Sequence, residues 1–558
     1  MPRSQSPVAS VTPQSTRSVS RRYGLRAWPL LLLAACATTG KSACDDCRRL
    51  VISAIGEPPS LLPPLVQETV GRDISALVFE RLLELAPGGA PLDSAAWRPA
   101  LAESWSRPDD TTVVLTLRAG ARWHDGRPVT ADDVVFSYAA FADTAIGAPG
   151  LPSLAGIHVA AVDTRTVRAT VPAGSTEPLY DLTFGVRILP RHIWGEVPST
   201  RWPEDTALAH LVGSGRYRLA SWRRGEFLRL VADSADGTLP PIDTLVWRFS
   251  GSPSAAATLL LAHEADVMET LITPDILTNV RADSSLRVVR YPSAAYGFLA
   301  WRVAPFRRGA APRAADARVR QALGLALDRA AMATAILGAG TAVPQGPLSQ
   351  ALWLHDAVRP VAPGDTALAA RMLTGAGWVP GPDGMRSKNG VTLAAEILVP
   401  SSSSSRVLLA QAVIEAWRRL GVAGTVASVE FPVFQQRLAE GNFDAYIGSY
   451  LDEPSPRGLA VQWGTSGIGA LNHGGWSDRP FDSLLTHATR ARSVAEAKVR
   501  YRVALDRLES EAPAVFLFAP TAAMGVNVRV TAVEPIDPFN WLGSVARWSK
   551  RPRRASDR

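Results

Sequence analysis

Cysteine is scarce in this chain, and it has no apolar run long enough to cross a membrane. Three of its 558 residues are cysteines: Cys36, and the pair Cys44 and Cys47 in the string CDDC. A structural zinc site needs four ligands and no second pair is present, so the string predicts a small disulfide formed outside the cytoplasm, with a redox pair as the alternative. The apolar run at 28–35 is far below the ~18–20 residues that a membrane-spanning helix needs.

Catalytic signatures and a basic binding surface are missing as well. The chain has no H-E-x-x-H, no P-loop and no G-x-S-x-G, because Val212 stands where a nucleophile elbow around Ser214 would need glycine. The net charge of +8 comes from the two ends of the chain, 1–35 and 547–558, and the body between them is near neutral. These absences predict a protein that is not an enzyme, has no cofactor and binds no nucleic acid.

The first 35 residues have the pattern of an export signal. Arg21 and Arg22 precede the short apolar run, as in a twin-arginine motif. The run ends in the string LAAC, which resembles a lipobox, where small residues precede a cysteine that becomes the lipidated N-terminus. We predict a signal peptide over 1–35, lipidation of Cys36, and a membrane-anchored lipoprotein of the periplasm or cell envelope. An ordinary signal peptide with an incidental cysteine is the alternative.

The most informative stretch is 98–138, which predicts a strand, a turn and a capped helix. β-Branched and apolar residues over 112–118 predict the strand. Gly126 follows Asp125, and Asp-Gly favours a turn because glycine accepts a positive φ. Thr130 with Asp133 three residues later is close to a capping box, so a helix should begin there.

The stretch as a whole resembles the signature of the family 5 extracellular solute-binding proteins, the peptide- and nickel-binding receptors of ABC importers. Further blocks resemble the same family in order along the chain, and the resemblance covers about 50–548. The matching residues of the signature are Leu101, Ala102, Glu103, Trp105, Leu117, Arg118, Trp123, His124, Asp125, Gly126, Pro128, Thr130, Ala131, Asp133, Val134, Ser137 and Tyr138.

The resemblance implies an α/β fold: a two-lobed periplasmic-binding-protein fold with an additional small domain and a ligand cleft between the lobes, which close about a hinge. Chain crossings between the lobes are expected near residues 295 and 510. The expected domains in chain order are the signal peptide 1–35, a lipidated tether 36–48, lobe I 49–85, the small extra domain 86–209, lobe I again 210–295, lobe II 296–509, lobe I for the third time 510–548, and a basic tail 549–558.

Two local predictions bear on lobe II. Residues 315–338 have apolar positions at helical spacing and Asp316 at their start, which predicts one long helix. Residues 513–520 predict a short buried strand that returns the chain to lobe I.

The function implied by the resemblance is that of a substrate-binding receptor of an ABC importer. It would capture a peptide or related small solute between its lobes and deliver it to a membrane permease. The implied partners are the permease subunits, a peptide-like solute, and the membrane through the lipid anchor. Two alternatives remain open: a ligand-free envelope scaffold or chaperone-like lipoprotein on the same fold, and a receptor for nickel or a metal chelate.

Such a receptor needs a cleft of aromatic and polar side chains rather than a nucleophile. In the peptide-binding branch, an aspartate four residues before a proline pairs with the ligand's amino group, but the count back from Pro454 falls on Tyr450. A strict need for a free amino group is therefore not expected, unless Asp452 or Glu453 takes that role. Arg302 stands where the family usually has asparagine, and either admits an anionic group or lies at the surface.

No catalytic and no metal-binding residue is expected. The ligand-binding residues expected from the resemblance are Glu57, Tyr296, Trp301, Arg302, Tyr446, Tyr450, Asp452, Trp463, Asn472 and Trp476.

Overall fold

The structure is a computed structural model, and two sequence predictions lie outside the residues it describes: the signal peptide and the lipidated Cys36. Cys44 lies outside them too. Cys47 is disulfide-bonded, as predicted for this segment, while its pairing with Cys44 stays a prediction. None of the described helices has the length and apolar character needed to cross a membrane. The described residues are 45–146, 154–205, 208–234, 237–271, 273–304, 313–338, 340–344, 346–355 and 363–552.

The strands of the described residues are β1 (Arg49–Ile55), β2 (Leu83–Leu85), β3 (Trp97–Pro99), β4 (Ala102–Asp109), β5 (Thr112–Leu117), β6 (His158–Ala161), β7 (Thr166–Thr170), β8 (Tyr217–Arg223), β9 (Phe227–Ala232), β10 (Thr244–Ser250), β11 (Val267–Met268), β12 (Leu286–Pro292), β13 (Ala295–Trp301), β14 (Val379–Pro380), β15 (Arg386–Lys388), β16 (Val391–Thr392), β17 (Ala394–Pro400), β18 (Ala423–Val429), β19 (Ala445–Leu451), β20 (Ala514–Phe518), β21 (Thr521–Asn527), β22 (Val530–Thr531) and β23 (Ser549–Lys550).

The α-helices of the described residues are α1 (Thr69–Val78), α2 (Ala131–Ala142), α3 (Pro178–Thr183), α4 (Arg191–Trp194), α5 (Pro253–Leu261), α6 (Pro274–Ala282), α7 (Ala317–Leu325), α8 (Arg329–Leu337), α9 (Thr366–Gly375), α10 (Ser404–Arg418), α11 (Phe431–Glu440), α12 (Leu459–Trp463), α13 (Arg479–Ala488) and α14 (Val494–Glu511).

The helix predicted over 315–338 is wrong as a single element. It divides into α7 and α8, and each part has its own N-cap. The Asp316 carboxylate accepts the N–H of Arg318, and the Asp328 carboxylate accepts the N–H of Ala331. Asp328 sits just before α8 and satisfies a donor that has no partner within that helix, so a second helix begins there.

A seven-stranded sheet in the order β12-β21-β11-β1-β10-β9-β8 forms the centre of lobe I. β1 runs parallel to β10 and β11. β12 has the same direction, because β11 and β12 both pair antiparallel with β21. Leu50, Ile52 and Trp247 are buried in the core beside this sheet. The carboxyl ends of β1, β10, β11 and β12 therefore lie along one edge.

A five-stranded sheet in the order β18-β17-β19-β13-β20 forms the centre of lobe II. The chain enters it between β12 and β13, at 293–294, and leaves it between β20 and β21, at 519–520. The second crossing lies beyond the expected position near 510. The reason is that β20, which the sequence analysis assigned to the return into lobe I, pairs with β13 in the sheet of lobe II.

The signature stretch lies in a separate four-stranded antiparallel sheet, β4-β5-β7-β6, which has its own apolar core. Its predicted local structure is confirmed. β5 is the strand, Gly126 has a φ of +88°, and the N–H of Thr130 donates to the Asp133 carboxylate where α2 begins.

The histidine of the signature joins this small domain to lobe I. His124 Nε2 donates to the Gly215 carbonyl at 2.8 Å, and its Nδ1 accepts the N–H of Gly213 at 3.2 Å. A Cβ on Gly213 would lie 1.8 Å from the Val78 carbonyl oxygen, so only glycine allows this loop to reach the end of α1. His124 is therefore a structural residue of the junction between the small domain and lobe I.

The start of the predicted basic tail is folded into lobe I. β23 pairs with β22, and Lys550 is only 6% exposed. Its ammonium lies 2.9 Å from both Asp266 and Asp46. Because a buried ammonium is costly unless carboxylates surround it, Lys550 ties the end of the described chain to its start.

Candidate functional site

The two main sheets are joined at matching edges. β12 and β20 end at the carboxyl edges of their sheets, and the two crossings begin there. β1, β10 and β11 end at the same edge of lobe I, and β17, β18 and β19 at the same edge of lobe II. Ligands of open α/β sheets bind outside the carboxyl ends of the strands. The candidate site is therefore the cleft between these two edges.

Four of the expected site residues form one aromatic group in lobe II: Tyr296, Tyr446, Tyr450 and Trp463. The Tyr296 hydroxyl donates to Gln462 Oε1 at 2.7 Å and accepts from Trp463 Nε1 at 3.0 Å. Tyr450 lies opposite Tyr296 across β13 and β19, and its hydroxyl donates to the Leu471 carbonyl.

Burial separates the outer members of this group from the inner ones. Tyr296 and Tyr446 are fully enclosed, and desolvation raises their pKa values well above the usual range. Tyr450 is partly exposed, and desolvation raises its pKa to about 12. Of the three tyrosines, Tyr450 is the one with surface left for a ligand.

Asn472 and Trp476 support the fold beside this group. The Asn472 amide donates to the carbonyls of Trp476 at 2.7 Å and Gly464 at 3.0 Å, and its oxygen accepts the N–H of Gly475. Trp476 is 4% exposed and packs against Phe481. The Asn472 amide is therefore bonded to neighbouring backbone groups, and Trp476 is part of the apolar core of lobe II.

Trp301 and Arg302 lie away from the cleft. β13 begins at the cleft edge, so Trp301 at its other end is six residues distant, about 20 Å along an extended strand. Trp301 stacks on Trp417 with ring centroids 5.2 Å apart, and Arg302 Nη1 donates to the His473 carbonyl at 2.9 Å. The structure therefore does not bring these two residues together with Tyr296 and Asp452.

Glu57 follows β1 at the cleft edge of lobe I, but its carboxylate is already occupied. It accepts the indole N–H of Trp222 at 2.7 Å and the backbone N–H of Gly225 at 2.8 Å. Arg224 lies over the Trp222 ring, 3.5 Å from its centroid. These contacts make Glu57 the anchor of the 222–225 turn.

Asp452 follows β19 at the cleft edge of lobe II. One carboxylate oxygen accepts the N–H of Ser349 at 2.6 Å, and no cation of the described residues lies within ion-pair distance. Desolvation raises its pKa to about 7, which the hydrogen bond from Ser349 only partly opposes. Its partly exposed carboxylate is a candidate contact for a positively charged group.

Sequence reasoning missed two carboxylates on the lobe I side of the cleft. Glu269 comes directly after β11, and Asp73 of α1 accepts the indole N–H of Trp541 at 2.7 Å. Desolvation raises the pKa of both carboxyl groups, and the Asp73 charge adds to the rise at Glu269. A strand of two residues carries too weak a pattern to indicate this position in advance.

A small cavity of about 30 Å³ borders the segment that follows Asp452. It is formed by three stretches that are distant in sequence, 81–89, 351–353 and 537–540, together with Pro454, two residues beyond Asp452. Sequence analysis found none of them, because each is an irregular segment without a motif. The lining side chains with polar or aromatic groups are Arg81, Glu84, Phe184, Trp353, Asp537, Phe539 and Asn540.

A buried ionic contact joins the small domain to lobe II. Arg457 bonds to Asp181 at 2.5 Å and to Glu177 at 2.9 Å, and Ser455 donates to Glu177 at 2.6 Å. Glu177 and Asp181 are 4% and 7% exposed. We call Glu177, Asp181, Ser455 and Arg457 the clasp.

A second hydrogen bond accompanies the clasp, from the Tyr180 hydroxyl to Glu453 at 2.8 Å. The segment 453–457 follows Asp452 directly. The clasp therefore lies next to the cleft edge of lobe II along the chain. Among the described residues, no group of three or more His, Cys, Asp or Glu side chains is arranged to hold a metal ion.

Comparisons with known proteins agree with this architecture. Residues 96–469 match the family described as bacterial extracellular solute-binding proteins, family 5 Middle. The oligopeptide-binding protein AppA of Bacillus subtilis is 23% identical over 524 residues, which cover 89% of this chain and 91% of AppA.

Two solved structures have the same fold at low sequence identity. AppA of Bacillus subtilis in complex with a nonapeptide aligns with a TM-score of 0.71 at 21% identity, over 90% of this chain and 99% of that one. NikZ of Campylobacter jejuni in complex with Ni(L-His) aligns with a TM-score of 0.72 at 23% identity, over the same shares of the two chains.

Proposed function

This chain belongs to the bacterial extracellular solute-binding proteins of family 5, and from that premise we propose that it captures a peptide-like solute between its lobes and hands it to an ABC permease. It is a substrate-binding receptor with the two-lobed α/β fold of that family and an additional small domain. The identity of the solute, the closing motion, the site residues and the permease partner are parts of the proposal.

One observation carries the proposal. The carboxyl edges of the two central sheets face one cleft, and only two short crossings connect the sheets. Such crossings permit a hinge, because the φ/ψ change needed for closure can be absorbed by a few residues between elements. A solute bound at these edges would be desolvated from both sides when the lobes close.

The cleft chemistry supports a peptide-like solute. Tyr450 and Asp452 lie at the lobe II edge, and Glu269 lies at the lobe I edge. These groups offer an aromatic surface and hydrogen-bond acceptors, which suit a solute with amide and ammonium donors. AppA, similar over most of its length, is an oligopeptide-binding protein by name.

The domain boundaries proposed from the resemblance need two adjustments. The pairing of β20 with β13 supports ending lobe II near 518 instead of 509. The folded β23 likewise supports starting the basic tail after Lys550.

The test is a binding screen on the purified chain followed by solution scattering. Intrinsic tryptophan fluorescence should respond to members of a pool of di- to nonapeptides, and the radius of gyration should fall on binding. A response to nickel–histidine alone would favour the metal-chelate receptor. A bound solute with an unchanged radius of gyration would favour the static scaffold.

Binding without chemical conversion is the remaining part of this proposal. A solute released from the protein should have an unchanged mass after prolonged incubation. A changed mass would make the protein an enzyme and overturn this part of the proposal.

Family 5 proteins act outside the cytoplasm, and we propose that this one is held at a membrane by acyl chains on Cys36. The support is the LAAC string that precedes the folded body. Cys36→Ala should move the protein from the membrane fraction to the soluble fraction. A substituted protein that stays with membranes after a salt wash would place the anchor elsewhere.

A further inference from the structure

The cavity holds a carboxylate that forms no ion pair with any described residue. Asp537 accepts the N–H of Phe539 at 2.9 Å through one oxygen, and no Lys, Arg or His of the described residues lies within ion-pair distance of it. Asp537 is partly buried, and desolvation raises its pKa; the Glu84 charge adds to the rise, while the Phe539 N–H and the Arg81 charge oppose it. An ionised carboxyl group in this position would gain from a cation that approaches it more closely than Arg81 does.

The other charged groups of the cavity are already paired. Arg81 lies 3.4 Å from Glu84 and over the Phe184 ring, 4.4 Å from its centroid. Counting Arg81, Glu84 and Asp537 together, the lining carries one net negative charge. Arg81 Nε is buried and donates to no described group.

Aromatic rings form much of the remaining wall. Phe184, Trp353 and Phe539 line the cavity, and the Trp353 indole is held by a hydrogen bond to the Pro454 carbonyl at 3.0 Å. Aromatic faces attract cations, and they do so more strongly where water is displaced. The rings and the unpaired Asp537 carboxylate therefore favour the same kind of guest.

We propose that this cavity takes a primary ammonium group of the solute, held by the Asp537 carboxylate beside the rings of Trp353 and Phe539. The proposal rests on the proposed function and specifies the solute as cationic.

This assignment changes the expectation drawn from Tyr450. The sequence left Asp452 and Glu453 as the only nearby carboxylates able to hold an ammonium. Asp452 does not line the cavity, and its carboxylate already accepts the Ser349 N–H. Glu453 accepts the Tyr180 hydroxyl. Asp537 comes from the far end of the chain and has room beside it for a guest.

The test uses three probes and three variants of the full chain. The probes are tri-alanine, N-acetyl-tri-alanine, and N-acetyl-Ala-Lys-Ala, which separate an amino terminus from a side-chain ammonium. The variants are Asp537→Asn, Asp452→Asn, and the matched control Glu534→Gln, an exposed carboxyl group of the same segment that pairs with Arg287. Titration calorimetry at pH 7.5 gives each dissociation constant.

We expect at least one ammonium-bearing probe to bind the unsubstituted protein at least tenfold more tightly than N-acetyl-tri-alanine. Asp537→Asn should abolish that ratio, while Glu534→Gln should keep it. If acetylation costs less than threefold and N-acetyl-Ala-Lys-Ala binds no better, the inference fails although the receptor function stands. A ratio abolished by Asp452→Asn but not by Asp537→Asn also overturns it. Absence of binding by all three probes would count against the peptide receptor itself.

Discussion

The clasp and the cleft both contain buried carboxylates, and they differ in whether a cation accompanies them. Glu177 and Asp181 share Arg457 within 2.5–2.9 Å. Asp452 and Asp537 have no ion-pair partner among the described residues, and burial raises the pKa of both. The first pair is complete without a ligand, whereas our proposal is that a solute supplies the positive charge to the second.

The difference separates a contact that holds two domains together from groups that are available to bind a solute. The attraction within a buried ion pair of good geometry roughly offsets the cost of desolvating its two charges. Removing one partner leaves the other charge buried without that attraction, so its full desolvation cost remains. The clasp therefore joins the small domain to lobe II. The cleft carboxylates have no ion-pair partner among the described residues, and we propose that a solute supplies one. Three substitutions test this contrast.

The largest effect is expected from Arg457→Met, which removes the cation of the clasp. Two buried carboxylates would then lack a counter-charge, and the free energy of unfolding should fall by about 3–5 kcal/mol at pH 7.5. Urea denaturation followed by tryptophan fluorescence measures the loss. The loss should shrink toward pH 4.5, because burial raises the pKa of Glu177 and protonation of that group relieves part of the unpaired charge. The control is Glu226→Gln, which breaks an exposed pair with Arg223 and should cost less than about 0.5 kcal/mol. Equal losses in the two variants would mean that the clasp is no more than a surface contact.

A smaller effect of opposite sign is expected from Asp452→Asn in the ligand-free protein. The folded-state pKa of about 7 lies above the ordinary aspartate value, so folding is penalised when the carboxyl group is ionised. That penalty is fully present above about pH 7 and disappears as the pH falls toward 4. The substitution should therefore stabilise the protein by about 1–3 kcal/mol at pH 8, after discounting for partial exposure, and by much less at pH 4.5. The control Glu534→Gln should stabilise the protein at neither pH 8 nor pH 4.5. Destabilisation at pH 8 would mean that Asp452 has an unrecognised cationic partner.

The smallest effect is expected from Tyr180→Phe, which removes the hydrogen bond from the small domain to Glu453. A loss of about 1 kcal/mol is expected for one such bond, with little change in packing because the ring stays stacked on Phe184. Urea denaturation at pH 7.5 measures it. A loss as large as that of Arg457→Met would shift the main inter-domain contact from the ionic group to this hydroxyl.

Local chemistry in the signature stretch was predictable because neighbouring residues decide it. The turn at Gly126 and the capping of α2 by Thr130 and Asp133 depend on contacts within four residues. The break between α7 and α8 was missed although Asp328 is a good N-cap residue, because the apolar spacing continues across it. The membership of β20 was missed because a buried strand carries no mark of the strand with which it will pair.

The site was predictable only in part, for a similar reason. Tyr296, Tyr450, Trp463 and Asp452 were expected together and lie together, since β13 and β19 pair directly. Trp301 and Arg302 were expected with them and lie at the other end of β13, because a strand carries its residues along its length. The Asn472 amide is hydrogen-bonded to neighbouring carbonyls, and no residue pattern in the sequence predicts these bonds.

The sequence alone determined the family, the two-lobed fold and the local elements of the signature, because all of these rest on short-range patterns and on motifs in a set order. Tertiary structure alone decided which acids meet a cation. Arg457 lies more than 270 residues from Glu177 and Asp181, and Asp537 faces Arg81 and Trp353 across three separate segments. Electrostatic energy depends on distance in space and on burial, and neither quantity can be read from positions along the chain.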